Sequence, residues 1–324
     1  MDLRNIFLVF TSAHIFHAKN IIETEKLAEY SFVCTDKDLL AELSDTNVVT
    51  FLGGHYSLNP LPLRAYKKKL NTRRAQVRLF VPHFLNVMAQ SLYFYFLKRG
   101  QLQQMCIIPD GNLLFNSFTV KRFSYLNITR KIKSLFLLSD YKFIDGDICS
   151  VHDGMTYVYS YMSNTRYSSV AGFTVKILDM PASTSKIDSG VLVLGHYNQR
   201  ALNPEKLIRV LKPLIISDKE VSYKPHPRLA LKYDRFYEHI RRELPATRVI
   251  TSSVSVERLL ETSQDIGVVF AVGSSSLINL KLMNPNLVIY YSAIRQYFGS
   301  AFDEVLAENL RSLGIEELPY DDIS

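Results

Sequence analysis

Three short segments of this 324-residue chain hold residue types whose spacing suits proton transfer or anion binding. The first is Met105-Cys106-Ile107-Ile108-Pro109-Asp110-Gly111-Asn112, an apolar run that delivers a carboxylate into a glycine turn. The second is Tyr223-Lys224-Pro225-His226-Pro227-Arg228. Each proline pins its own φ and moves its predecessor out of helical backbone, so His226 is held at the end of the strand predicted before it. With Lys224 and Arg228 on either side, this is an electropositive strand-end loop of the kind a phosphate leaving group requires. The third is Gly273-Ser274-Ser275-Ser276, between an apolar strand and a helix that starts near Leu277. Hydroxyls and unpaired backbone N–H groups at a helix N-terminus form an anion site, whereas capping alone would need one serine. The tract has neither the P-loop nor the GxGxxG pattern.

Each segment also has a plainer reading. Asp-Gly is first of all a turn signal, and Asp145-Gly146 and Asp153-Gly154 repeat it. Asp110 differs because it ends a strand of βα type, whereas Asp153 precedes Thr156 to Tyr161, which reads as one arm of a hairpin. His226 could be a histidine satisfied within its loop, but the flanking prolines and cations favour a functional role. No metal site is expected, since the eight histidines are scattered and the three cysteines (Cys34, Cys106, Cys149) form no CxxC pair. Those cysteines read as reduced structural thiols of a cytosolic protein.

The elements that must position these residues follow from the apolar pattern. In the first half, the runs Asn5 to Phe10, Ser31 to Cys34, Asn47 to Phe51 and Met105 to Ile108 alternate with helical stretches, as in βα units. Between them, Leu61 to Arg78 is a basic helix-like segment running into Val81 to Arg99. Loop formers collect from Asp179 to Gly190, where a linker is expected. Beyond it, predicted strands at 191–194, 220–223, 248–250, 266–271 and 286–290 alternate with helices at 204–211, 233–243, 256–261 and 275–283. That is the pattern of a doubly wound parallel sheet, whose ligand sits at the carboxyl ends of its strands. The expected class is α/β, with two Rossmann-like domains at residues 1–182 and 190–324 facing one another across a cleft. A final helix, Phe302 to Leu313, is expected to pack back on the first domain. Strand-end placement adds Gly195 to the second-domain set, and His55 and Asn112 as acceptor-side residues of the first.

Composition bounds the rest. With 47% apolar residues the chain is a packed globular protein, and Lys plus Arg outnumber Asp plus Glu by 38 to 31, a net charge of +7 that suits an anionic partner. The N-terminal apolar stretch Ile6 to Phe10 is too short for a signal-peptide core, and Leu85 to Leu97, broken by Asn86, Gln90 and Ser91, reads as a buried or surface-dipping helix. A cytoplasmic protein with at most peripheral contact to an anionic membrane surface is expected.

In this order, Asp-Gly, His-Pro and Ser-Ser, the motifs resemble those of bacterial sialyltransferases of GT-B fold, the group of the lipooligosaccharide and capsular polysialyltransferases. The resemblance implies an inverting transfer of sialic acid from CMP-sialic acid to a sugar hydroxyl, of galactose type, on a lipopolysaccharide or capsular glycan. It implies Asp110 as general base and His226 as the residue assisting the phosphate leaving group. Ser274 and Ser275, with Ser276 and Pro225 beside them, would hold the CMP phosphate. Glu257, in Val254-Ser255-Val256-Glu257-Arg258-Leu259-Leu260, resembles a glutamate that holds the ribose hydroxyls, and Lys224 a lysine that contacts the nucleotide. No cofactor or metal is implied, and the partners are a nucleotide-sugar donor and a glycan or glycolipid acceptor. Pro109 departs from the pattern, which usually has an acidic residue before the aspartate.

Other readings are a CDP-glycerol or CDP-ribitol phosphotransferase, with a first-domain histidine (His14, His17 or His55) as catalyst, or another nucleotide-sugar glycosyltransferase. A basic nucleic-acid or membrane-surface binding protein would use the Leu61 to Arg78 segment, but no nucleic-acid recognition signature accompanies it and the three motifs would be left unexplained.

Overall fold

The computed structural model describes residues 3–44, 49–51, 65–68, 75–84, 86–115, 156–183, 190–196, 203–215, 220–226, 229, 234–251, 254–262, 266–292 and 304–319. The chain divides into two units, Met1–Asp179 and Met180–Ser324.

In the first unit the strands are β1 (Leu3–Val9), β2 (Tyr30–Cys34), β3 (Val49–Phe51), β4 (Gln76–Val81), β5 (Leu102–Ile107), β6 (Thr156–Ser160) and β7 (Phe173–Ile177). They form one sheet in the order β3-β2-β1-β4-β5-β6-β7, and every pairing is parallel. Its helices include α1 (Ser12–Thr24), α2 (Leu39–Glu42) and α3 (Val87–Lys98). The chain builds outward from β1 through β2 to β3, then returns to place β4 on the other side of β1, so the sheet has its reversal point between β1 and β4. Aromatic side chains lock that centre, with Phe7 of β1 stacked on Phe80 of β4 at 4.1 Å.

Two helix starts aim at the carboxyl end of this sheet. Thr11 caps α1 by accepting from the His14 N–H at 3.3 Å, and Asn86 caps α3 by accepting from the Met88 N–H at 2.7 Å. The helix expected over Leu85 to Leu97 is therefore α3, and it is largely buried, with Met88, Ala89, Leu92, Tyr93, Tyr95 and Phe96 all in the core.

Two local expectations are corrected here. Thr156 to Tyr161 is not a hairpin arm, because β6 lies parallel to both β5 and β7. The basic segment does not remain helical to Arg78, because Gln76–Val81 is the central strand β4. Its arginine is absorbed by neighbours: Arg78 donates to Gln104 Oε1 and to the Tyr159 hydroxyl, each at 3.2 Å, and lies 3.6 Å from the Glu25 carboxylate. Strand β7 was not anticipated, although Phe173-Thr174-Val175-Lys176-Ile177 alternates apolar and polar residues as a strand does. Cys34 and Cys106 are buried free thiols, and burial pushes Cys106 up to about 12.

The second unit repeats the plan. Its strands are β8 (Gly190–Leu194), β9 (Val221–Lys224), β10 (Arg248–Val249), β11 (Ile266–Val272), β12 (Val288–Ser292) and β13 (Glu316–Glu317), in the order β10-β9-β8-β11-β12-β13, all parallel. The helices are α4 (Pro204–Leu211), α5 (Arg235–Glu243), α6 (Val256–Thr262), α7 (Ser276–Met283) and α8 (Glu304–Ser312). The reversal point lies between β8 and β11. Leu207 and Leu211 of α4 and Phe236 and Ile240 of α5 cover Val193 and Tyr223 on one face. Helix α8 packs on α7 of its own unit and leads into the edge strand β13. Among the described residues no helix is long and apolar enough to cross a membrane.

Candidate functional site

In the first unit the candidate residues gather at the carboxyl ends of the neighbouring strands β1, β4 and β5, the first two of which flank the reversal point. Asp110 follows β5 by three residues and ends in the one-turn 3-10 helix Gly111–Leu114, where Gly111 takes φ +49°, the left-handed region that glycine enters without strain. Asn112 lies in that turn. His55 falls outside the described residues.

The Asp110 side chain is 19% exposed and is met by two histidines. His14, in the first turn of α1, brings Nε2 to 2.9 Å from Asp110 Oδ1. His83, just after β4, has its Nε2 3.8 Å from Asp110 Oδ2. The other nitrogen of His14, Nδ1, accepts the Phe10 backbone N–H at 3.2 Å, so the proton of the neutral ring resides on Nε2, and the ring donates to the aspartate. Phe10 packs against both imidazoles, with centroid distances of 5.9 Å to His14 and 5.7 Å to His83.

One turn further along α1, His17 Nδ1 is 2.9 Å from the Tyr161 hydroxyl, which also accepts from Asn20 Nδ2 at 3.2 Å. With Asn20 supplying a donor, the Tyr161 O–H donates to His17 Nδ1. Burial, joined by the neighbouring His14 and opposed by Asp110, lowers the His17 pKa to about 3, so this ring is neutral. Asn20 also donates to the backbone carbonyl of Asp179, the last residue of the unit, at 2.9 Å.

Sequence reasoning singled out Asp110 but treated His14 and His17 only within the phosphotransferase alternative, and it passed over His83. The signal was present: Thr11-Ser12-Ala13-His14 follows the first strand as directly as Asp110 follows its own.

In the second unit the predicted residues likewise stand at the carboxyl ends of adjacent strands. Lys224 ends β9 in register with Leu194 of β8, and Gly195 donates its N–H to the Lys224 carbonyl at 2.8 Å. Pro225 and His226 come next and are both partly exposed, and the His226 carbonyl accepts from Leu229 N–H at 2.9 Å. Pro227 and Arg228 lie outside the described residues.

Glu257, in the first turn of α6, is 1% exposed and accepts from Asn279 Nδ2 at 2.8 Å. Burial raises its pKa, opposed by the bond from Asn279, by Ser255 and by the charge of Lys224. Burial lowers the Lys224 pKa in turn, and Glu257 opposes that shift. The two groups therefore support one another's charged forms in a site that penalises both.

After β11, Gly273 turns the chain at φ +47° and donates its N–H to the Ser292 carbonyl at 3.1 Å. Ser274 and Ser276 are partly exposed, and Ser275 is buried. Ser275 occupies the cap position of α7 in helical backbone without a side-chain capping bond, unlike Thr11, Asn86, Asn203 and Asp234 at their helices. Among the described residues no group of three or more His, Cys, Asp or Glu is placed to hold a metal ion.

No protein-family profile matches the sequence, and no characterised protein is detectably similar to it in sequence. Solved structures are similar in fold. A 2,6-sialyltransferase of a Photobacterium species, in a ternary complex with CMP and lactose, aligns with TM-score 0.58 at 12% identity, over 99% of this chain and 78% of that one. The GT-B domain of a Photobacterium damselae sialyltransferase aligns with TM-score 0.54 at 12% identity, over 98% and 99%. UDP-GlcNAc 2-epimerase from Neisseria meningitidis, bound to UDP-GlcNAc, gives 0.54 at 9% identity, over 99% and 88%. The two Rossmann-like units of this chain thus have the GT-B fold that bacterial sialyltransferases share.

Proposed function

We propose that this protein is an inverting sialyltransferase that moves sialic acid from CMP-sialic acid to a sugar hydroxyl of a bacterial surface glycan. One observation carries the reading. Asp110, His226 and the Ser274–Ser276 tract each follow the carboxyl end of a parallel strand, the serine tract beside its sheet's reversal point and the other two one strand away from theirs, in a chain that shares its fold with a sialyltransferase holding CMP and lactose.

In the proposed reaction Asp110 takes the proton of the acceptor hydroxyl while the hydroxyl oxygen bonds to the anomeric carbon of sialic acid. The bond from that carbon to the CMP phosphate oxygen breaks, and CMP leaves with the electron pair. His226, Lys224 and the Ser274–Ser276 donors would stabilise the charge that grows on the phosphate, Glu257 would hold the ribose hydroxyls, and Gly195 and Pro225 would shape the strand-end floor. A nucleoside monophosphate is a good leaving group, so the scheme requires neither metal nor cofactor. The acceptor-side roles of His55 and Asn112 rest on strand-end placement alone. The net charge of +7 suits peripheral contact with an anionic membrane carrying a lipid-linked acceptor.

The His14 geometry favours Asp110 over His14 as base. A histidine base needs a free ring nitrogen, whereas His14 has Nδ1 on the Phe10 N–H and Nε2 on Asp110. That argues against the CDP-glycerol phosphotransferase reading for this residue.

A thermal-shift panel with CMP, CMP-sialic acid, CDP-glycerol and UDP-glucose tests the donor. A ligand at 100 times its dissociation constant adds about 2.7 kcal/mol of stability. Stabilisation by CMP and CMP-sialic acid, lost in the Ser274→Ala/Ser275→Ala variant, is the expected result. Stabilisation by CDP-glycerol or UDP-glucose alone would replace the reading with that of a rival transferase.

A further inference from the structure

The first unit contains a histidine that the three motifs do not include. From its two hydrogen bonds we infer that His14 is a positioning residue. Its ring is held in one tautomer by the Phe10 backbone and presents Nε2–H to Asp110 Oδ1, which holds the carboxylate of the base in one orientation. The inference deepens the proposed function and rests on Asp110 being the base.

The sequence accounts for the arrangement. Strand β1 ends at Val9, Thr11 caps α1, and His14 occupies the first turn of the helix, so its ring lies over the strand end that leads to it. The Phe10 N–H at 3.2 Å can only donate, and it therefore requires a bare lone pair at His14 Nδ1. That leaves Nε2, 2.9 Å from Asp110 Oδ1, as the protonated nitrogen. The ring has little room to turn, since His14 is 3% exposed and Phe10 packs edge-on against it at 5.9 Å.

The charged and titratable groups around the pair are few among the described residues. His83, after β4, faces the other carboxylate oxygen at 3.8 Å, beyond the range of a direct hydrogen bond. On α1 itself, His17 is coupled electrostatically to both His14 and Asp110, and burial holds it neutral. An N–H donor on one oxygen of a carboxylate limits its rotation about χ2 and so fixes the direction in which the base faces. A misplacement of a catalytic group by about 1 Å can cost on the order of 100-fold in rate.

The test compares His14→Ala with His14→Gln. A glutamine amide nitrogen stands where Nε2 stands, so it can restore the donor to Asp110 without restoring an imidazole. His14→Ala should lower kcat by about 10- to 100-fold while the Kd for CMP is unchanged, and His14→Gln should recover most of the loss. Alanine with wild-type kcat, or glutamine as impaired as alanine in a folded protein, would overturn the inference.

A second measurement needs neither turnover nor a variant at His14. Nitrogen-15 spectra of histidine-labelled protein should show His14 with its proton on Nε2, and Asp110→Ala should shift that resonance. The Nδ1–H tautomer, or no response to Asp110→Ala, would sink the inference. If the tautomer is as expected but neither CMP nor CMP-sialic acid stabilises the protein, the functional reading has failed while the His14–Asp110 arrangement stands.

Discussion

Gly195 lies directly against the hydroxyl of Tyr223: a methyl group at Gly195 would stand 2.4 Å from Tyr223 Oη, 3.0 Å from Cζ and 3.0 Å from the His226 backbone nitrogen. Tyr223 cannot move aside easily. It is fully buried, stacks with Tyr237 at 5.7 Å and donates its hydroxyl to Asp234 Oδ2. Asp234 in turn caps α5 by accepting from Tyr237 N–H at 3.1 Å. The absence of a side chain at position 195 therefore lets β8 pass close to the turn that carries His226.

Gly195→Ala should consequently destabilise the protein by about 1–3 kcal/mol, as overpacking in a filled core does, and weaken CMP binding by displacing the His226 backbone. Chemical denaturation together with CMP titration checks both effects. Tyr223→Phe in the same chain should recover only part of the loss, since it removes the oxygen but leaves the Cζ contact and takes the hydroxyl away from Asp234. A Gly195→Ala protein with unchanged stability and CMP affinity would show that this close approach matters to neither.

The histidine pair on α1 makes a pH-dependent prediction. Burial lowers the His17 pKa to about 3 from an ordinary 6.5. Between those values the unfolded chain binds a proton that the folded chain refuses, so stability attributable to His17 is complete above pH 6.5 and is lost as pH falls toward 3. The loss approaches about 1.4 kcal/mol per pH unit once the unfolded histidine is fully protonated. His17→Asn keeps an oxygen acceptor near the Nδ1 position for the Tyr161 O–H but removes the titration. Denaturant midpoints from pH 7 to pH 4 should therefore fall less steeply in the variant than in the wild type. Parallel slopes would mean that His17 takes up its proton in the folded state as readily as in the unfolded one.

Lys224 and Glu257 are both buried, and each shift has burial as its first cause, with the partner's charge opposing it. Replacing one of them leaves the other charge in a site that penalises it. Glu257→Leu and Lys224→Met should each be destabilising, and the double variant should be more stable than the sum of the two losses implies. A coupling of about 1–3 kcal/mol is expected in a double-mutant cycle. A cycle that closes within experimental error would show that the two side chains do not interact.

The parts of this architecture that were legible in the sequence are those in which one kind of signal dominates. Strands β8 and β11 are continuous apolar runs, and α4 opens on Asn203-Pro204, a cap followed by the residue best suited to the first helical position. Strand β4 was hidden because Arg78 extends a run of basic residues, and Tyr159, Gln104 and Glu25, distant in sequence, make Arg78 tolerable inside the sheet. The parallel direction of β6 was hidden for a related reason. Alternation identifies a strand but not its direction, and Asp153-Gly154 suggested a hairpin where the chain instead enters a parallel pairing. His14 was missed as a companion of Asp110 because 96 residues separate them, and only the parallel order of β1, β4 and β5 brings their strand ends together.

The sharpest separation of roles comes from Asp110→Asn set beside His226→Ala. Asparagine retains an oxygen that can accept from His14 Nε2–H, so the local packing of the first unit should survive while the proton acceptor is lost. Turnover should fall by about 10²–10⁴-fold, and stabilisation by CMP should be unchanged, because the residues proposed to hold the nucleotide belong to the second unit. His226→Ala should also lose most turnover, but through the leaving group rather than the acceptor. Its defect should therefore shrink with a donor whose leaving group is intrinsically better, whereas the Asp110→Asn defect should not. Measuring kcat for both variants with CMP-sialic acid and with a donor of lower leaving-group pKa distinguishes the two. If Asp110→Asn turned over at the wild-type rate, the proton would have to leave by another route, and the assignment of Asp110 as base would be withdrawn.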